Sequence, residues 1–190
     1  MIDLMARKLI FVFLLLAAAV GAKEVSQQQV TWRTTNDGVF KSETAQFVRD
    51  ANAGDPVSVT VMLKLNDEDA LDELIRRQGT PGDPDHERRL SAKESAQRFA
   101  PTRAQAQAVA DYLGRNGFTN IKIAPNNLLV TADGTAELAQ IAFNTRIGIF
   151  RSKDSEEHGM ANLQAIQVPA ELNQVDQVLG LNTMIKARVN

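Results

Sequence analysis

The sequence contains no cysteine, only two histidines, and one residue each of tryptophan and tyrosine among its 190 residues. The absence of cysteine excludes disulfides, thiolate zinc sites, CxxC redox chemistry and a cysteine nucleophile. The two histidines, His86 and His158, lie far apart in polar segments, so an HExxH helix or a dense histidine metal site is also excluded. With 21 basic and 23 acidic residues, the chain has no basic excess with which to bind nucleic acid.

Long apolar runs are also scarce, and the one at Leu9 to Val20 lies near the amino terminus. Two basic residues precede it and small residues follow it, which is the pattern of a secretory signal peptide. The run is shorter than the roughly 20 residues that a membrane-spanning helix needs. We therefore expect a signal peptide at residues 1–22, cleaved between Ala22 and Lys23. The mature chain is then secreted or periplasmic, with no membrane association after signal removal.

The mature chain divides by composition into an arm, a domain and a short end. Residues 23–45 are polar, and such composition predicts a flexible, poorly ordered arm. Within the arm, Trp32 and Phe40 are expected to hold parts of it against the domain. The folded domain is expected at residues 46–185, and residues 186–190 are interpreted as a truncated linker.

Hydrophobic periodicity predicts the elements of that domain. Apolar residues alternate in the first strong strand, and Ser91 with Glu94 forms the capping box of a helix start. Helices are predicted near residues 68–77, 91–99, 102–114 and after 135, with a hairpin at 120–132 and strands at 57–65, 145–151 and 163–168. The main elements follow the order strand, helix, strand, strand, helix, strand. This order predicts an α+β fold, a ferredoxin-like antiparallel α/β sandwich (βαββαβ), with both helices on one side of the sheet.

The two faces of the predicted sheet differ in polarity. Alternation from Val57 to Leu65 places five apolar side chains on one side, which must face the helices because each buried side chain contributes about 1.5–3 kcal/mol. The other side includes Met62, and the last strand adds Phe150 to it. An outward phenylalanine beside a methionine favours a protein-docking face, although isolated exposed apolar residues are common on soluble proteins. The candidate partner-binding residues are Ser58, Thr60, Met62, Lys64, Lys122, Thr131, Arg146 and Phe150.

No motif for catalysis or for cofactor binding occurs. The GxSxG, GxGxxG and P-loop patterns are absent, and no serine has a neighbouring glycine or histidine placed to activate it. Paired carboxylates lie at predicted helix starts or in exposed loops, where the helix dipole or solvation explains them. The acidic segment 83–87 with His86 matches no ligand spacing of a metal site, so a solvated loop is the favoured interpretation. We predict no catalytic residue, no metal and no cofactor.

Six segments in a fixed order resemble one known family: residues 59–66, 82–102, 109–118, 134–145, 168–172 and 175–182. Among them, Tyr112-Leu113 followed by Gly117-Phe118 is similar to a Trp-Leu…Gly-Phe helix end, with Tyr112 in the place of tryptophan. His86 departs from the pattern, since an aromatic residue is frequent there. The chain thereby resembles the activation (pro-) domain of the sedolisin/kumamolisin family of serine-carboxyl peptidases. The resemblance implies the same antiparallel α/β sandwich.

The resemblance also implies a function. In this family the prodomain precedes a catalytic domain, assists its folding, and blocks its active site until autocatalytic removal in acid. The Ser–Glu–Asp triad and calcium site of that catalytic domain match no part of this sequence. We therefore expect a non-enzymatic chaperone and inhibitor, whose partner is a peptidase catalytic domain in cis or in trans.

Two alternatives stay open from the sequence. The chain could be a stand-alone exported binding module that kept the fold after losing its enzyme. It could instead be the amino-terminal fragment of a split peptidase whose reading frame continues downstream.

Overall fold

The computed structural model describes residues 30–184, which form nine strands and four helices. The strands are β1 Trp32–Thr34, β2 Ala45–Asp50, β3 Pro56–Leu63, β4 Thr119–Ile123, β5 Leu129–Thr135, β6 Ile147–Ser152, β7 His158–Asn162, β8 Gln167–Pro169 and β9 Val175–Leu179. The helices are α1 Glu68–Gln78, α2 Ala92–Phe99, α3 Arg103–Arg115 and α4 Ala136–Ala142. The predicted signal peptide, its cleavage site and the predicted linker at 186–190 lie outside the described residues.

A four-stranded antiparallel sheet of order β4-β5-β3-β9 forms the centre of the protein. Buried and more exposed side chains alternate along strand β3, as the sequence predicts. Val59 and Val61 are each 1% exposed, whereas Ser58, which lies between Val57 and Val59, is exposed. The buried side of the sheet packs against α3 and α4 in one hydrophobic core. The protein is thus a mixed α/β fold with antiparallel sheets, consistent with the α+β class.

Helix α3 forms where the sequence predicts it because its start and its apolar face are both encoded. Thr102 accepts from the backbone N–H of Gln105 while the Gln105 side chain accepts from the Thr102 N–H, the reciprocal arrangement of a capping box. Val109 and Leu113, four residues apart, are buried on one face. The phenol of Tyr112 donates a 2.5 Å hydrogen bond to the carbonyl of Ala142, which ties α3 to the end of α4.

Helices α1 and α2 lie between β3 and α3 in the order of the chain. Each has a single buried residue, Leu74 in α1 and Phe99 in α2. The loop that joins them is held by Asp85, whose carboxylate contacts Arg77 at 2.8 Å and Arg88 at 3.2 Å. The two helices predicted here, near residues 68–77 and 91–99, are confirmed.

None of the helices within residues 30–184 is long and apolar enough to cross a membrane.

The fourth strand of the central sheet differs from the prediction. The segment expected there, residues 145–151, becomes β6 and lies in a separate three-stranded sheet of order β2-β6-β7. The position beside β3 is taken by β9. A register shift between Met62 and Leu63 interrupts this pairing, so the apolar residues of β9 do not alternate in the sequence.

The flexible arm is expected at residues 23–45, and the structure describes this segment from residue 30 onward. The described part contains strand β1. Strand β1 pairs antiparallel with β8, and the chain then follows the outer edge of β9. We call residues 31–37 the strap. Along it, the backbone N–H of Asn36 donates to the carbonyl of Asp176 at 2.9 Å, and the carboxylate of Asp37 accepts from the N–H of Val178 at 2.7 Å. The strap therefore satisfies backbone groups at the edge of the central sheet.

Candidate protein-docking face

One side of the central sheet is not covered by any helix of the described chain, and we call it the open face. Ser58, Thr60 and Met62 project from β3 toward it, opposite in direction to the buried valines. Cross-strand pairing adds the side chains of the neighbouring strands, because directly paired residues share a face. The open face consists of Ser58, Thr60, Met62, Lys122, Leu129, Thr131, Asp133, Gln177 and Leu179.

The open face has an apolar strip formed by Leu179, Met62 and Leu129 beside a central pair of threonines. Thr60 pairs with Thr131 on one side and with Leu179 on the other, and short threonine side chains leave the neighbouring groups accessible. Met62 pairs with Leu129, and Leu179 is 46% exposed. The sequence pattern did not find Leu129 and Leu179, since their placement requires the register of the hairpin and of β9.

Charged groups lie at one end of the open face. The Oγ of Ser58 donates to a carboxylate oxygen of Asp133 at 2.7 Å, and the amide of Asn120 donates to the other oxygen at 3.0 Å. These two hydrogen bonds, with a smaller contribution from the positive charge of Lys122, hold the pKa of Asp133 below its ordinary value. The two hydrogen bonds thus favour the ionised form of this carboxylate.

Six of the eight predicted docking residues lie together, and two do not. Lys64 follows the end of β3 and is exposed, so it extends the open face. Arg146 precedes β6 and pairs with Asp50 at 2.8 Å. Phe150 is only 9% exposed. The prediction that Arg146 and Phe150 share the face of β3 is wrong, because β6 belongs to the other sheet.

Phe150 instead lies at the centre of an aromatic cluster. Its ring meets the rings of Phe40 and Phe47 edge to face, with centroid distances of 4.9 and 5.7 Å. A side chain at Gly148 would come within 2.9 Å of the Phe47 ring, so glycine allows the ring to cover the strand. Phe47 and its neighbour Val48 are nearly half exposed on the edge strand β2. They form a second exposed apolar patch that the sequence pattern did not reveal.

The predicted pinning residues of the arm do make contacts: Trp32 pairs with Pro169 across β1 and β8, and Phe40 packs on Phe150. The chain leaves the described region beside β7, where the N–H of Thr183 donates to the carbonyl of Met160 at 2.8 Å. Within residues 30–184, no group of three or more His, Asp or Glu side chains could hold a metal ion.

Comparison with known proteins gives one family and two relatives. The family model described as "Pro-kumamolisin, activation domain" matches residues 43–184. Sedolisin of Pseudomonas sp. (strain 101) is 36% identical over 177 residues, which cover 90% of this chain and 29% of sedolisin. Xanthomonalisin of Xanthomonas sp. (strain T-22) is 41% identical over 133 residues, which cover 70% of this chain and 16% of xanthomonalisin. The chain thus spans less than a third of the length of either relative.

Proposed function

Because the chain belongs to the Pro-kumamolisin activation domain family, we propose that it is the propeptide of a sedolisin-type serine peptidase. In this proposal it acts as a folding chaperone and inhibitor of the catalytic domain. The two relatives support the assignment, since the identity extends over most of this chain but over a minor part of each peptidase. In the cis form of this proposal the catalytic domain is joined to this chain. In the trans form it is encoded separately.

The open face is the surface that we propose for docking. It combines Met62, Leu129 and Leu179 in an apolar strip with Lys122 and Asp133 beside it. A partner that covers the strip removes apolar area from water at about 25 cal/mol per Å². The charged groups would fix orientation, because electrostatic complementarity contributes more to specificity than to affinity.

The dimensions of the sheet limit what the open face contributes alone. Four strands at about 4.8 Å spacing, with about 3.4 Å per residue, cover roughly 400 Å². A stable interface needs about 800 Å² on each partner. We therefore propose that the segment after Asn182 contributes the remainder by leading toward the cleft of the peptidase. The position of Thr183 beside Met160 places the start of that segment along the outer edge of β7.

The order of the central sheet supports a finer assignment of the fold. Read from β9, the strands are the fourth, first, third and second of a β-α-β-β-α-β unit, with α3 after the first strand and α4 after the third. On this basis we propose that the central sheet and its helices form a ferredoxin-like fold. We also propose that the protein acts outside the cytoplasm, on the basis of the signal-peptide pattern in residues 1–22.

Inhibition of an acid-active sedolisin by the purified chain tests the function directly. Nanomolar inhibition, together with a higher refolding yield of the denatured catalytic domain when the chain is present, is the expected result. Absence of both effects would contradict the proposal and favour a stand-alone binding module. Inspection of the coding sequence beyond Asn190 and of adjacent genes distinguishes the cis form from the trans form.

A further inference from the structure

A groove runs along the free edge of the central sheet, between β4 and α3. It has a volume of about 610 Å³. Ile121 and Ile123 form its strand side, and Ala110 and Gly114 lie on its helix side. The helix approaches the strand closely, since a side chain at Gly114 would lie 3.6 Å from the terminal methyl of Ile121. The floor of the groove is therefore apolar and narrow.

The edge of β4 presents backbone groups to this groove. Within residues 30–184, β5 is the only strand paired with β4. The N–H of Ala124 donates to the carbonyl of Leu129 at 2.9 Å, so Ala124 and, two residues earlier, Lys122 face β5. Backbone direction alternates along a strand. The N–H and carbonyl of Ile123 and the carbonyl of Ile121 consequently point away from the sheet, where a further strand would bind them.

The charged groups around the groove favour one kind of occupant. Arg103 and Arg115 lie near its two ends, about 18 Å apart along the helix at 1.5 Å per residue. Neither arginine forms an ion pair within residues 30–184. The one acidic group of the lining, Asp111, accepts a 2.8 Å hydrogen bond from Gln107. The groove therefore carries a net positive charge with two free guanidinium groups.

From these three features we propose that the groove between β4 and α3 binds an extended acidic peptide segment. The segment would add as a strand to the outer edge of β4, with apolar side chains over Ile121 and Ile123 and carboxylates near Arg103 and Arg115. Strand addition of this kind obtains affinity from main-chain hydrogen bonds and specificity from side-chain pockets. The length of the groove fits about five extended residues at 3.4 Å each. The groove lies on the helix side of β4, whereas the open face lies on the opposite side of the sheet.

A labelled, acetylated peptide Glu-Thr-Val-Thr-Val-Thr-Glu, whose glutamates and valines all lie on one face of a strand, tests the proposal in a fluorescence anisotropy titration with the full chain. We expect saturable binding that weakens as salt is added, because exposed ion pairs are screened. The same peptide with lysine in place of both glutamates should not bind. The double variant R103E and R115E should weaken binding about tenfold, because it removes two exposed charge pairs that each contribute modestly. The control variant R89E and K93E makes the same change of net charge away from the groove and should bind normally.

Backbone methylation of the peptide distinguishes strand addition from simple charge attraction. Methyl groups on every second amide should abolish binding when those amides face β4, while the alternate series should bind as before. Equal binding by both series, equal binding of the lysine peptide, or no saturation up to about 1 mM peptide would overturn the proposal. Concentration-dependent dimerisation that occupies the β4 edge would also overturn it, in favour of a second copy of the chain.

Discussion

The hydroxyl of Ser58 and the carboxylate of Asp133 are joined by a 2.7 Å hydrogen bond across β3 and β5 on the open face. This bond is the main reason that the pKa of Asp133 lies below its ordinary value. A carboxyl with a lowered pKa in the folded state contributes stability above its unfolded pKa, and that contribution is lost as the pH falls through the folded value.

We therefore predict that Asp133 titrates below the usual range of aspartate in the folded chain. The substitution Ser58→Ala should raise the pKa of Asp133 toward the ordinary value while Asn120 still holds one oxygen. A carboxyl-carbon NMR titration of both proteins measures the shift directly. An unchanged pKa in Ser58→Ala would show that Ser58 is not the cause.

A second pH dependence is predicted at the strap. Burial raises the pKa of Asp37, and its hydrogen bonds from Val178 and Thr35 offset this only in part. A raised carboxyl pKa makes the folded state less favourable as the pH rises through the interval between the unfolded and folded values. Asp37→Asn removes the buried charge but keeps an oxygen acceptor for Val178. It should increase the free energy of unfolding at neutral pH and have no such effect in acid.

The matched variant for the strap is Asp37→Ala. It removes the acceptor and leaves the N–H of Val178 without its partner, which costs about 1–3 kcal/mol for a buried donor. Urea unfolding of the two variants at neutral and acidic pH separates the effects. Equal stability of Asp37→Asn and Asp37→Ala would contradict the role given to this carboxylate in holding the strap on β9.

Tyr112 gives a prediction that can be measured by absorbance alone, because it is the single tyrosine of the chain. Burial, and secondarily the negative charge of Glu171, raise its pKa to about 12. Folding stability from this group is therefore lost as the pH rises from about 10 through about 12. Ultraviolet titration of the folded protein should show a midpoint near 12. A midpoint near the ordinary value of about 10 would contradict the burial of the phenol.

Tyr112→Phe tests the energetic role of the same contact. The substitution leaves the carbonyl of Ala142 without its 2.5 Å hydrogen bond, and we expect a loss of about 1–3 kcal/mol in the free energy of unfolding. The variant should also lose the decrease of stability between pH 10 and 12 that the phenol causes. A loss below about 0.5 kcal/mol would show that water or a shift of α4 replaces the bond.

Gly180 tests whether the chain after β9 passes as closely over β3 as the structure indicates. Its φ is +98°, and a side chain there would collide with the carbonyl oxygen of Ser58. Gly180→Ala should therefore lower the free energy of unfolding by about 2–4 kcal/mol. Gly54→Ala is the matched control, because Gly54 has open space around it and the change should stay within about 1 kcal/mol. Equal effects of the two substitutions would contradict the close approach.

The contrast between β3 and β9 shows what the sequence could predict of this fold. Strand β3 has one fully buried side, so its valines alternate and the strand is evident from the sequence. In β9 the buried residues Val175 and Val178 are three positions apart because the pairing with β3 is interrupted. That spacing is closer to the helical period than to the period of a strand. Strand β2 has no buried residue and therefore no pattern at all.

The sequence predicted the position of a candidate docking residue correctly only where it also predicted the sheet to which the residue's strand belongs. Positions on β3 and in the hairpin follow from alternation and from a short turn, and they do share the open face. Phe150 was misplaced because its alternation is genuine but belongs to a sheet whose other members, β2 and β7, lack a hydrophobic period. Alternation tells which residues share a face of a strand, and it does not tell which sheet the strand joins.

Inhibition of an acid-active sedolisin by open-face variants is the most direct measurement of the proposed function. The double variant T60R and T131R places two long cations at the centre of the open face, where these two residues pair across β3 and β5. The control A108R places one on the exposed surface of α3, away from that face. The account predicts that T60R with T131R lowers inhibition at least tenfold while A108R inhibits like the unmodified chain. Undiminished inhibition by the double variant, or an equal loss in A108R, would contradict docking through the open face.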